Sequence, residues 1–189
     1  MLGSQYVLGL KAVNCQNGDT LSQEQVAAAA KEKVLDALGD AASKLRGELG
    51  ESLASVQKFD VPLEEATTSS LDALKAYSLG EIQSDAAAAL PHNQRAIELD
   101  PNFAMGYHGV GDDYYSMGQI GRASEFYTKA FQLREHVSER ERLRITLSYY
   151  SNVTGEVDKV AQTCQEGIQA YPRDGRMHWE LGNAYASQG

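Results

Sequence analysis

The sequence predicts a mainly α-helical protein, an α-solenoid of antiparallel helix hairpins preceded by a β-hairpin and one or two helices. Two observations carry this expectation. In MGYHGVGDDYYSMGQIGRASEFYTKAFQL, residues 105–133, large aromatic and small residues recur at intervals that no catalytic motif explains. Near the start, YVLGLKAV alternates with the period of a β-strand and is followed by Asn17-Gly18, a pair that tolerates the positive φ of a two-residue hairpin turn.

Placing Tyr107 at position 4 of a 34-residue frame puts Val110 at 7, Gly111 at 8, Tyr114 at 11, Gly118 at 15, Ile120 at 17, Ala123 at 20, Tyr127 at 24 and Ala130 at 27. Such a frame describes two antiparallel helices of about 14 residues. Small residues at 8, 20 and 27 let the backbones approach, and large ones at 4, 11 and 24 fill the space between them. The clearest unit is 104–137. A second, 141–174, has Leu147 at 7, Ser148 at 8, Gly155 at 15, Val157 at 17, Val160 at 20, Cys164 at 24, Gly167 at 27 and Pro172 at 32. Its frame has slipped by three residues, which the polar loop at His136 to Glu139 can absorb. A half unit, 175–189, opens with His178 at 4, Leu181 at 7, Gly182 at 8 and Tyr185 at 11. Working backward, Ala96 at 27 and Pro101 at 32 make residues 86–99 a second helix. Its first helix is expected in SSLDALKAYSLGEI, along Leu71, Leu74, Tyr77 and Leu79 or Gly80, with a link shorter than the frame requires.

Residues 1–60 read as something else. Tyr6, Leu8, Leu10 and Ala12 alternate with Val7, Gly9, Lys11 and Val13. Residues 19 to about 27 suit either a return strand or a helix capped by Ser22 and Gln25; the hairpin reading is favoured. A helix follows from about residue 30 along Val34, Ala37, Leu38, Ala41 and Leu45, broken by Gly47 and Gly50. A short helix then passes through Leu53 and Val56, and FDVPLEE with Pro62 ends it. One hairpin with no further sheet reads as the remnant of an α/β domain. The array would occupy 61–189.

The chain has 189 residues, 42% of them hydrophobic and 23% charged, which suits a globular core or a row of small ones. No stretch approaches the roughly 20 apolar residues of a membrane span. The opening MLGSQYVLGLKAV lacks the basic n-region of a secretory leader, so the chain is expected to be cytoplasmic. Cys15 and Cys164 form no CxxC pair and suggest neither a disulfide framework nor a zinc site. Net charge is −9, with 8 Lys and Arg against 15 Asp and Glu in residues 1–100, and 9 against 11 beyond. Without a basic stripe, nucleic acid is not an expected partner. The alternating SERERLRI, residues 138–145, reads as a solvated, salt-bridged helix face.

The spacing over residues 69–189 resembles the tetratricopeptide repeat (TPR) family. That resemblance implies a right-handed α-solenoid whose first helices line a concave groove for a protein or peptide segment. LRGELGESLASVQKFDVPLEEATTSSLDALKAYSLG further looks like the junction before the C-terminal repeats of large bacterial signalling proteins of the serine/threonine kinase or winged-helix regulator type. This implies a piece of such a protein without its effector, since no Gly-rich loop, HRD or DFG is present. Carried onto this chain, the groove positions are Met105, His108, Asp112, Tyr115 and Ser116, then Arg142, Ile145, Tyr149, Asn152 and Val153, then Arg176, Trp179, Asn183 and Ala186. Family members that clamp a C-terminal carboxylate carry lysine and asparagine where this chain has His108 and Asp112. Tyr115, Tyr149 and Trp179 suggest aromatic anchoring instead.

His108 and Asp112, four apart, share a helix face as a base and its orienting carboxylate would, but no nucleophile or third ligand joins them at helical spacing. His92, His136 and His178 have no partner at ligand spacing. Asp112 and Asp113 point about 100° apart on a helix and cannot share a substrate. Asn152-Val153-Thr154 matches a glycosylation triplet that has no role in a cytoplasmic chain. The expectation is a scaffold with no catalytic residue, metal or cofactor. Its alternative is self-assembly into a homodimer through the hairpin and the open end of the array.

Overall fold

In the computed structural model, residues 5–58, 62 and 67–187 are described, and the chain divides into two compact units between Leu71 and Asp72. In the first unit, β1 (Tyr6–Val13) pairs antiparallel with β2 (Thr20–Ala28). Residues 20–27 of that ambiguous segment are therefore strand, with Asp19 in the turn, and Ser22 and Gln25 sit in the ladder rather than capping a helix. The alternation of β2 explains this: Ser22, Glu24, Val26 and Ala28 turn inward, with Glu24 and Ala28 buried. Register runs Tyr6↔Ala28 to Ala12↔Ser22 and then shifts to Val13↔Thr20, leaving Leu21 as a bulge.

The turn differs from the two-residue expectation. Asn14 donates its N–H to Asp19 O and accepts from Gly18 N–H, both at 2.8 Å. Gly18 takes φ +78° while Asn17 does not turn left-handed; its side chain instead accepts from Asp19 N–H at 3.0 Å. The local hydrogen bonds of Asn14 and Asn17 stabilise a longer loop.

After a 3-10 turn at Lys31–Lys33, α1 (Val34–Glu48) packs on both strands, and α2 (Leu53–Lys58) follows Gly50, whose φ is +88°. Ala28, Val34, Leu35, Ala41 and Val56 form the buried seam. Lys44 on α1 meets the buried Glu24 at 2.7 Å, so the inward carboxylate has its counter-charge. Most of FDVPLEE lies outside the described residues.

The second unit is a run of helices: α3 (Leu71–Glu81), α4 (Ala86–Leu99), α5 (Ala104–Ser116), α6 (Ile120–Leu133), α7 (Glu139–Tyr149), α8 (Val157–Ala170) and α9 (Gly175–Ser187). The repeat is visible in the even-numbered helices, which are all 14 residues long. In each, the fourth, eighth and eleventh residues are buried: Ala89, Asn93 and Ala96; Ala123, Tyr127 and Ala130; Val160, Cys164 and Gly167. Helices α4 and α6 begin 34 residues apart, at Ala86 and Ile120. Helix α8 begins three residues later than that spacing would place it. A 3-10 turn at Arg134–His136 and a π-helical run at Tyr150–Thr154, closed by Gly155 at φ +69°, lie in the interval.

Two registers differ from expectation. In α3 the buried residues are Ala73, Ala76 and Gly80 rather than Leu71, Leu74 and Tyr77, and the link to α4 is not short. A Cβ on Gly80 would lie 2.5 Å from Asn93 Oδ1, which shows how closely α3 and α4 approach. In α9, Met177 and Ala184 are buried while His178, Gly182 and Tyr185 are exposed.

Gly111 tests the close approach of α5 and α6. A Cβ there would sit 2.7 Å from the Tyr127 ring, whereas at Gly182 nothing lies within 4 Å. Gly111→Ala is expected to lower stability by roughly 1–3 kcal/mol through overpacking. Gly182→Ala, at an open helical position, is expected to be neutral or to stabilise by up to about 1 kcal/mol. Urea denaturation of the two variants checks both.

Candidate binding cleft

Helices α5, α7 and α9 line two hollows that share Arg176. The first, about 250 Å³, is formed by Asp112 and Tyr115 of α5, Tyr127 of α6, Leu147 and Ser148 of α7, Ser151 and Asn152 of the π-helical run, and Arg176, Trp179 and Glu180 of α9. The second, about 530 Å³, is lined by Tyr77, Glu81, Met105, Arg140, Glu141, Arg144, Asp174, Arg176 and Met177.

The floor of the first hollow is a hydrogen-bonded network. Tyr127 donates its hydroxyl to Asp112 Oδ1 at 2.8 Å. Asp112 Oδ2 lies 3.3 Å from His108 Nδ1 and 3.5 Å from Arg144 Nη2. The other imidazole nitrogen, Nε2, is 2.9 Å from Ser148 Oγ, which joins α5 to α7. His108 is wholly buried and inclined against the Tyr127 ring, with centroids 5.7 Å apart. Burial pushes its pKa down to about 4; the Asp112 carboxylate opposes this, and Arg144 and Arg176 reinforce it. The imidazole is therefore neutral at pH 7 and sealed beneath the hollow. Burial, the Asp112 charge and its hydrogen bond raise the Tyr127 pKa.

Asp113 serves another contact. It accepts from Asn93 Nδ2 at 2.8 Å, linking α4 to α5. Burial raises its carboxyl to about 6 against the stabilising Asn93 bond.

Of the residues anticipated for the groove, Asp112, Tyr115, Asn152, Arg176 and Trp179 come together around the first hollow, and Met105 lines the second. His108 and Ile145 are buried as packing residues. Tyr149 lies face to face with Phe131 at 4.0 Å between centroids, an anchor within the fold rather than an open ring. Val153 packs against the Val110–Tyr127 cluster. Asn183 lines a third hollow, of about 180 Å³, with Tyr150, Val157, Val160 and Ala184. Arg142 lines none of the three.

On α7 the lining residues are Arg140, Glu141, Arg144, Leu147 and Ser148, whereas the anticipated Arg142, Ile145 and Tyr149 line neither hollow. Arg140 and Arg144, read from the sequence as part of a solvated face, therefore look into the cleft. Their four-residue spacing was the available signal. Among the described residues, no group of three or more His, Cys, Asp or Glu could hold a metal ion, and no helix is long and apolar enough to cross a membrane.

No family model matches the chain, and no curated protein matches it. Among solved structures, it is similar to the N-terminal domain of stress-induced protein-1 (STI-1) from C. elegans, at 17% identity and a TM-score of 0.41, over 60% of this chain and 94% of that one. The helix-hairpin reading rests on the chain's own packing.

The buried imidazole makes a pH prediction. Its folded pKa of about 4 lies below the ordinary 6.5, so its contribution is fully present above pH 6.5 and is lost as pH falls toward 4. Asp113 works in the opposite sense: its folded value of about 6 exceeds the ordinary 3.8, so its contribution is lost as pH rises through that interval. His108→Gln should flatten the acid limb between pH 6.5 and 4 by at most about 3 kcal/mol. Asp113→Asn should steepen it. Urea midpoints across that range are the measurement.

Proposed function

We propose that the chain is a non-enzymatic scaffold of the tetratricopeptide type, a right-handed α-solenoid that takes a peptide or protein segment into the cleft of α5, α7 and α9. The observation that carries this reading is Trp179, 64% exposed beside an open hollow whose floor is hydrogen-bonded and which Tyr115, 47% exposed, also lines. Aromatic side chains bury large area at small entropic cost, and exposed ones beside a concavity suit an anchor residue of a partner. Arg176, between the hollows, supplies a donor for a carboxylate or backbone carbonyl of the same segment. A cytoplasmic setting and membership of a larger bacterial signalling protein belong to the same proposal, on the strength of the sequence resemblance alone.

Trp179 is the only tryptophan, so its fluorescence reports directly on the cleft. Titration with a library of apolar and acidic peptides should give a saturable emission shift. Trp179→Ala and Tyr115→Ala should each weaken binding at least about tenfold, roughly 1.4 kcal/mol or more. Tyr149→Ala should chiefly lower stability. No emission change with any peptide, or full binding by Trp179→Ala read by calorimetry, sinks the proposal.

A further inference from the structure

We infer that β1 pairs edge to edge with β1 of a second copy of this chain, making a four-stranded sheet in the order β2-β1-β1-β2. This stands apart from the cleft and comes from the first unit alone. The sheet has two strands, so each has an edge with no ladder partner among the described residues. The two edges are not equally protected. β2 carries the Leu21 bulge and the inward Glu24, both devices that discourage pairing. β1 is eight residues of YVLGLKAV with no bulge of its own and Lys11 as its only charge.

The covered face of the sheet is unfinished as well. Leu8, Leu10 and Ala12 of β1 remain half-buried under α1, as do Leu38, Ala42 and Leu45 of the helix. On the open face Val7 is 64% and Val13 44% exposed. A two-stranded sheet is marginal by itself, and more strands with a shared apolar face are what stabilises it.

A second copy supplies those strands with matching chemistry. A two-fold axis perpendicular to the sheet brings like faces together, so Leu8, Leu10 and Ala12 of both copies form one apolar strip. With the axis at Leu8, Gly9 or Leu10, Lys11 meets Gln5, Val7 or Gly9 of the second copy and never its own counterpart. Helices centred on neighbouring strand pairs would lie two strand spacings apart, about 10 Å, which is a normal helix-packing distance.

The test uses the full chain in sedimentation equilibrium over a wide concentration range. Wild type is expected to show a reversible monomer–dimer equilibrium, and Val7→Lys/Val13→Lys to raise its dissociation constant at least tenfold with an unchanged circular dichroism spectrum. Mixing that variant with Val7→Glu/Val13→Glu should restore a dimer. Hydrogen exchange of residues 6–13 should slow with concentration in the wild type, a readout that does not depend on the variants folding. A wild-type monomer throughout, a dimer unaffected by the lysine pair, or concentration-independent exchange in β1 overturns the inference.

Discussion

Tyr127 ties the packing of α5 against α6 to the floor of the first hollow. Its ring lies where a side chain on Gly111 would have to be, which sets how closely α5 and α6 approach. The same ring leans on His108, and its hydroxyl holds Asp112. A large residue facing a glycine is a packing device that works only if the ring has one position. The hydrogen bond at its tip provides that restraint, because a buried phenol without an acceptor is costly. Hairpin packing and cleft floor thus rest on a single side chain.

Between hairpins, burial of apolar surface gives attraction but little register, since alanine-rich faces such as Ala73, Ala76, Ala96, Ala104 and Ala130 slide past one another at small cost. Polar pairs supply the register. Asn93 to Asp113 joins α4 to α5, twenty residues apart in sequence, and His108 to Ser148 joins α5 to α7, forty apart. A shift of one residue would leave each of these groups buried and unmatched, a penalty of about 1–3 kcal/mol apiece. The glycines serve these pairs too: Gly80 and Gly109 both make room for the Asn93 amide.

The second helices were legible because their burial pattern repeats every 34 residues with unambiguous residue sizes; α4 and α6 follow that frame without displacement. The first helices were harder. Helix α3 has two apolar stripes, Leu71–Leu74–Tyr77 and Ala73–Ala76–Gly80, and size alone favours the leucines. The structure buries the small stripe deepest, because close approach to Asn93 requires it. Helix α7 is flanked by a 3-10 turn and a π-helical run, and no side chain in SERERLRI advertises either irregularity or which face lines the hollows. The Asn-Gly turn misled for a related reason: the pair permits a two-residue turn, but Asn14 and Asp19 offered a competing set of hydrogen bonds.

The cleft combines a fixed floor with a loosely held rim. Asp112 is committed at 2.8 Å to Tyr127, but its contact with Arg144 is 3.5 Å, and Arg140 stands 3.7 Å from Asp174. Partly exposed pairs at such lengths are weakly held, so on the proposed binding role a ligand carboxylate would displace them at little cost. The floor cannot adapt in the same way, since moving it uncovers His108 and breaks the α5–α7 register. On the proposed binding role, shape selection would therefore fall to the hollow beneath Trp179, where rearrangement is expensive. On the same role, charge selection would fall to arginines whose present partners are easily exchanged, on a chain whose overall net charge is −9.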